Sequence, residues 1–261
     1  MLHDDLTADA VVDSEAAMEF MKEATKVAST SELEDIGQRL EAKSRRFREI
    51  LAAERLAELD EDGLRRLTGS IFSLRRKARR LVRRNGLERL RGELLALLHG
   101  EGEVTARFDR FAGAIEGLEP AMVVSLASEA LHYSDPGRYH LWTHWIWNPK
   151  TGTGALPLVV REGVDLEGAS DGEVYAKVGR ALAHLDAHGH AVGFSRSGAG
   201  LFGTDVFLAC VYAVYMYTVF RVKLSQEFNR ILPELPELVE RVLGVRPDRV
   251  RRADTMGGAD G

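Results

Sequence analysis

Residues 31–59 read SELEDIGQRLEAKSRRFREILAAERLAEL, and this stretch decides the fold class. Ser31 followed by Glu34 spells a capping box, in which the serine oxygen takes a free amide at a helix start and the glutamate reaches back. Leu33, Ile36, Leu40, Phe47, Ile50 and Leu51 recur at mostly three- and four-residue steps, the period of one helical face. Only Gly37 weakens the run. The spacing predicts helix over about 14–58, with its amphipathic part ending near Leu59.

Elements of the same kind follow. The acids Asp60, Glu61 and Asp62 with Gly63 read as a turn. Ile71, Leu74, Ala78 and Leu81 then stripe a second helix over about 64–84, which Asn85-Gly86 stops. A third helix covers about 87–98 and ends at Gly100. Residues 104–133 read as two helices joined at Glu116-Gly117-Leu118-Glu119-Pro120, and Asp135-Pro136-Gly137 and Asn148–Gly154 read as loops. Leu156–Val160 is the one candidate strand. Ser170 with Glu173 starts a helix over about 171–188 that Gly189 ends, and a last long helix runs from Thr204 to about Ile231.

The chain is therefore expected to be mainly α. We read a helical N-terminal arm (1–100), a compact helical domain (101–246) and a polar, disordered tail (247–261), with at most a short β element. The composition, 45% hydrophobic and 29% charged over 261 residues, is that of a folded chain. A single cysteine, Cys210, excludes an internal disulfide framework and any multi-cysteine metal centre. The acidic start MLHDDLTADA has no apolar signal segment, which predicts a cytoplasmic location. Val206–Phe220 lacks charge for 15 residues where a membrane span needs about 20, so it reads as a buried core helix and no membrane partner is expected.

Charge is distributed unevenly. Residues 1–64 hold 8 basic and 17 acidic side chains, whereas residues 65–92 hold 11 basic and 1 acidic. Arg75, Arg76, Arg79, Arg80, Arg83 and Arg84 fill the polar side of the second helix. Guanidinium forks bind phosphate in pairs, so this helix is a candidate nucleic-acid surface. The other reading is that the acidic helix at 32–62 packs beside it and neutralises it.

Ile115-Glu116-Gly117-Leu118-Glu119-Pro120, of the form apolar-x-Gly-apolar-x-Pro between two helices, resembles the hairpin of helix-hairpin-helix proteins. The following Leu131-His132 and Leu141-Trp142-Thr143-His144-Trp145 resemble the base-excision DNA glycosylases of that superfamily, over about 30 residues in all. The resemblance implies a helical core and a phosphate contact at Gly117 through backbone amides. It does not imply catalysis. Trp142 stands where the family has its catalytic aspartate, Ala121 and Met122 stand where a lysine nucleophile would lie, and Glu119 replaces a hairpin glycine.

Two histidine pairs, His140 with His144 and His184 with His188, have the four-residue spacing that lets a helix present both to one divalent metal, and Glu129 with His132 forms an E-x-x-H pair. Trp142, Trp145 and Trp147 could form a partner surface, or a core with satisfied indoles. Gly198–Gly203 spells G-x-G-x-x-G without a preceding strand and reads as a loop. No catalytic residue is assigned. Three classes follow: a non-catalytic nucleic-acid-binding protein, an interaction subunit or homo-oligomer using the apolar C-terminal helix and the tryptophans, and a metal-dependent enzyme built on the histidines. No other cofactor is predicted.

Overall fold

A computed structural model of the chain describes residues 8–192, 200–223 and 234–245. The helices are α1 (Ala8–Val11), α2 (Ser14–Val27), α3 (Thr30–Leu51), α4 (Ala53–Leu56), α5 (Glu61–Gly69), α6 (Ala78–Asn85), α7 (Leu87–His99), α8 (Val104–Ala114), α9 (Pro120–Ser134), α10 (Asp171–Val192), α11 (Gly203–Lys223) and α12 (Leu235–Val242). Short 3-10 turns occupy Phe72–Leu74, Leu156–Leu158 and Gly200–Phe202. The protein is mainly α, with no sheet among the described residues.

α9 is the centre of the fold. Eleven consecutive residues, Val123 to Tyr133, are buried, so this helix is covered on every face. α3 lies along it, and α7 and α8 pack beside it; α10 lies on α8, and α11 packs against α2 and α12. One apolar core runs unbroken from Val11 to Val245. The expected N-terminal arm is therefore not separate from the 101–246 region: α2 and α3 bury their apolar faces in the same core. The tail at 247–261 lies outside the described residues.

Local expectations change in informative ways. The long helix over 14–58 breaks at Ala28 and Ala52. The capping box forms at Ser29 and Glu32 rather than at Ser31 and Glu34: Ser29 N donates to Glu32 Oε2 at 2.8 Å and Glu32 N to Ser29 Oγ at 3.3 Å. Capping at Ser29 places buried Ala28 and Leu33 just before the cap and in the first turn, the positions of a hydrophobic staple. Capping at Ser31 would put Thr30 and Asp35 there. The expected turn at Asp60–Gly63 is the start of α5, whose Asp60 Oδ1 accepts from Gly63 N at 2.7 Å.

The helix expected over 64–84 is split into α5, a 3-10 turn and α6. Thr68 and Ser70 turn their hydroxyls back on the carbonyls of Leu64 and Arg66 where α5 ends. The candidate strand is a 3-10 turn led by Leu156-Pro157, with only a lone bridge between Val12 and Val160. α10 runs past Gly189 to Val192. α11 begins as expected and is described to Lys223, and α12, which buries Leu235, Val239 and Val242, was not expected. Gly200–Val219 is long and apolar enough to cross a membrane (20 residues, mean hydropathy 1.4), and half of that window is buried inside the protein. Cys210 is also buried, which pushes its thiol pKa up to about 12 and leaves it without thiolate reactivity.

Candidate nucleic-acid interface

The arginines do not lie on one continuous helix. Arg75 and Arg76 sit in the turn after Phe72–Leu74, and Arg79, Arg80, Arg83 and Arg84 sit on α6. The α6 sequence explains the result: Leu81 is fully buried, Ala78 and Val82 are half-buried, and the arginines take the remaining positions. All six arginines are exposed. Among the described residues none has a carboxylate within 4.0 Å. The acids of 32–62 do not neutralise them, because α3 packs on α9, and Glu41 and Asp62 pair with Arg45 and Arg65 of their own helices.

The turn between α8 and α9 lies directly beside this ridge. Asn85, the last residue of α6, donates through Nδ2 to the carbonyls of Leu81 (2.9 Å) and Glu116 (3.0 Å) and accepts from Glu116 N at 2.9 Å. Arg89 adds bonds to Ala114 O at 2.6 Å and Glu116 Oε1 at 3.3 Å. Gly117 has φ +80°, and a Cβ there would lie 2.5 Å from Arg84 Cγ, so the Arg84 stem rests on the glycine. Pro120 opens α9, whose N-terminal end adds positive dipole charge. The Asn85 clamp is the residue that sequence reading missed. Its local signal, an asparagine at a helix end, also fits a plain stop.

Gly117→Ala is expected to cost about 1–2 kcal/mol, from the left-handed backbone alone, plus displacement of Arg84. Urea unfolding checks this; an unchanged midpoint would mean that the turn relaxes freely.

The tryptophan surface is corrected by burial. Trp142 is 1% and Trp147 7% exposed, with indole N–H groups donating to Trp147 O and Leu166 O. Only Trp145 is half-exposed, against Tyr212. His140 and His144 do not share a helical face, because residues 139–147 leave the helix at the Asp135–Gly137 turn. His184 and His188 do lie on α10, but among the described residues no three of His, Cys, Asp and Glu gather into a metal-binding group.

The E-x-x-H pair instead joins a buried charged quartet. Lys43 Nζ lies 2.6 Å from Glu129 Oε2, and His132 Nε2 lies 2.7 Å from Asp205 Oδ2. Burial pushes Lys43 down and Glu129 up, each partly offset by its partner. Burial also acts to lower His132, but the Asp205 carboxylate and the Tyr139 carbonyl outweigh it and raise the pKa above 6.5. Both ring nitrogens face acceptors, so the imidazolium is the form that fits. A raised histidine pKa stabilises the fold fully below the unfolded value and loses that contribution as pH rises through the folded value. Unfolding measured from pH 6 to 9 should therefore show wild-type stability falling above about 6.5 from this pair. Asp205→Asn should flatten that fall, and an equal slope in the variant would refute the assignment.

Together these features define a class: an all-helical protein with an arginine ridge, unpaired among the described residues, clamped to an interhelical turn. Comparison with protein-family models, with curated proteins and with solved structures finds no match.

Proposed function

We propose that this is a non-catalytic nucleic-acid-binding protein whose contact surface is Arg75, Arg76, Arg79, Arg80, Arg83 and Arg84 together with the turn at Gly117. The observation that carries this reading is the exposure of six guanidinium groups with no carboxylate partner among the described residues. Within a chain of net charge −5, the ridge is a local concentration of positive charge, the electrostatic footprint of a polyanion surface. The resemblance of residues 113–147 to a helix-hairpin-helix core supports the same reading. The Arg84 contact adds to it by bringing side-chain charge to the turn whose backbone would hold a phosphate. Trp142, in place of the glycosylase aspartate and buried, argues for binding without base excision.

The test is affinity for a fluorescent duplex and a single strand across salt. Six phosphate contacts predict a loss of roughly 10³-fold between 50 and 200 mM salt. No binding at low salt, or a flat salt response, rules the proposal out.

A second reading rests on α11. Its residues from Val214 to Tyr217 are half-exposed although the helix is apolar throughout, which suits an interaction subunit. Sedimentation that finds a monomer at high concentration counts against a homo-oligomer through this face.

A further inference from the structure

A cavity of about 400 Å³ opens at the start of α8, at the opposite end of that helix from the arginine ridge. An 11-residue helix is about 16 Å long, so the two are well separated. The cavity is lined by Arg107, Arg138 and Arg180, with Tyr139, His140 and Tyr175 between them. Arg107 is buried. Its Nη1 donates to Leu97 O at 2.5 Å and its Nη2 to Tyr139 Oη at 3.2 Å, while its Nε has no hydrogen-bond partner.

None of the three guanidinium groups has a carboxylate within 4.0 Å among the described residues, and Glu103 is the only acid lining the cavity. A buried guanidinium without a counter-charge costs several kcal/mol. The α8 N-terminus faces the same space, with Glu103 capping it through its backbone only. Burial lowers the His140 pKa, so its ring is a neutral hydrogen-bonding group at neutral pH.

We propose that this cavity binds the dianionic phosphate group of a small molecule. The lining holds three guanidinium groups and one carboxylate, and although Asp165 acts on Arg180 from outside it, the positive excess suits a phosphomonoester near neutral pH. Guanidinium forks and a helix N-terminus are the donors that phosphate oxygens take. The volume leaves room for more than the phosphate itself.

Calorimetric titration of the full-length protein with inorganic phosphate, adenosine 5′-monophosphate and adenosine tests this. Saturable binding of either phosphate-bearing probe and none of adenosine is expected. Tighter binding of the monophosphate points to an organic ester, and equal binding to free phosphate. Arg107→Ala risks the fold, so the exposed Arg138→Ala and Arg180→Ala are the probes, each expected to weaken binding about tenfold. Alanine at Arg79, Arg80, Arg83 and Arg84 should leave this binding unchanged, which separates it from the nucleic-acid surface. No saturable heat at about 10 mM probe overturns the proposal. So does binding that survives both cavity substitutions, or that disappears with the α6 arginines.

Discussion

Lys43→Met is expected to remove about 3–5 kcal/mol of stability, a large part of what a protein of this kind has. Lys43 is 2% exposed, and its ammonium touches Glu129 Oε2 at 2.6 Å, Leu243 O at 2.8 Å and the face of Tyr133, 4.1 Å from the ring centre. Removing it strands the Glu129 carboxylate in the core, with Asp205 close enough to raise its pKa further. Glu129→Leu should cost a similar amount by stranding Lys43. The double variant should recover most of the loss, because two apolar side chains of like volume carry no buried charge. Urea unfolding of the two single variants and the double variant gives the coupling directly. A single variant within 1 kcal/mol of wild type would mean that the pair is not charged in the folded protein, or that water reaches it.

The quartet ties distant segments together. Lys43 comes from α3, Glu129 and His132 from α9, Asp205 from α11, and the Leu243 carbonyl from the end of α12. Its position in the core, where α9 is buried all round, makes it a structural clamp. It also adjoins the α8 cavity, since His132 Nδ1 lies 2.8 Å from the carbonyl of Tyr139, which lines that cavity.

Alanine at Arg79, Arg80, Arg83 and Arg84 together should reduce nucleic-acid affinity at about 50 mM salt by roughly a thousandfold, and bring the salt slope from about −5 to about −2. Arg79, Arg80 and Arg83 have no hydrogen bond or ion pair to lose among the described residues, and Arg84 loses only its rest on Gly117. Stability should therefore shift by no more than about 0.5 kcal/mol per site. Circular dichroism and urea unfolding on the same samples check that the fold is intact. An unchanged affinity in a folded variant would move the contact surface elsewhere and leave α6 as a solvated face.

The resemblance to a helix-hairpin-helix core now has a physical counterpart to test. The two helices and their turn lie where the pattern placed them, as α8, residues 115–119 and α9. Glu116 is tied to Arg89, while Glu119 remains exposed beside the start of α9. If the turn holds a phosphate, Glu119→Gly should tighten binding; an unchanged affinity would place the phosphate on the α6 arginines alone.

How much of this was legible beforehand depends on the range of the interactions involved. The helix over Leu87–His99 was readable to within a residue, because its period, its preceding Asn85-Gly86 and its final Gly100 are all local signals. The face on which the arginines lie was readable in the same way, but whether the acids of 32–62 cover that face was not. A guanidinium next to Leu81 in a helical repeat has to face away from whatever Leu81 is buried against. The breaks at Ala28, Ala52 and Ser70 were not readable, since none carries a proline, and the helices they separate pack on different partners, α2 on α11, α3 on α9 and α5 on α6. Trp142 and Trp147 looked like a surface because indoles suit both environments; only the carbonyls of Trp147 and Leu166 decide for the core.

The sequence by itself determined that the chain is helical and which side of each helix is greasy, since both follow from neighbours three or four residues apart. The tertiary structure alone decided which charges find partners. Asn85 meets Glu116 across 31 positions, Lys43 meets Glu129 across 86, and Arg107 meets no carboxylate among the described residues. Pairing at such separations depends on how the helices pack, which no local pattern encodes.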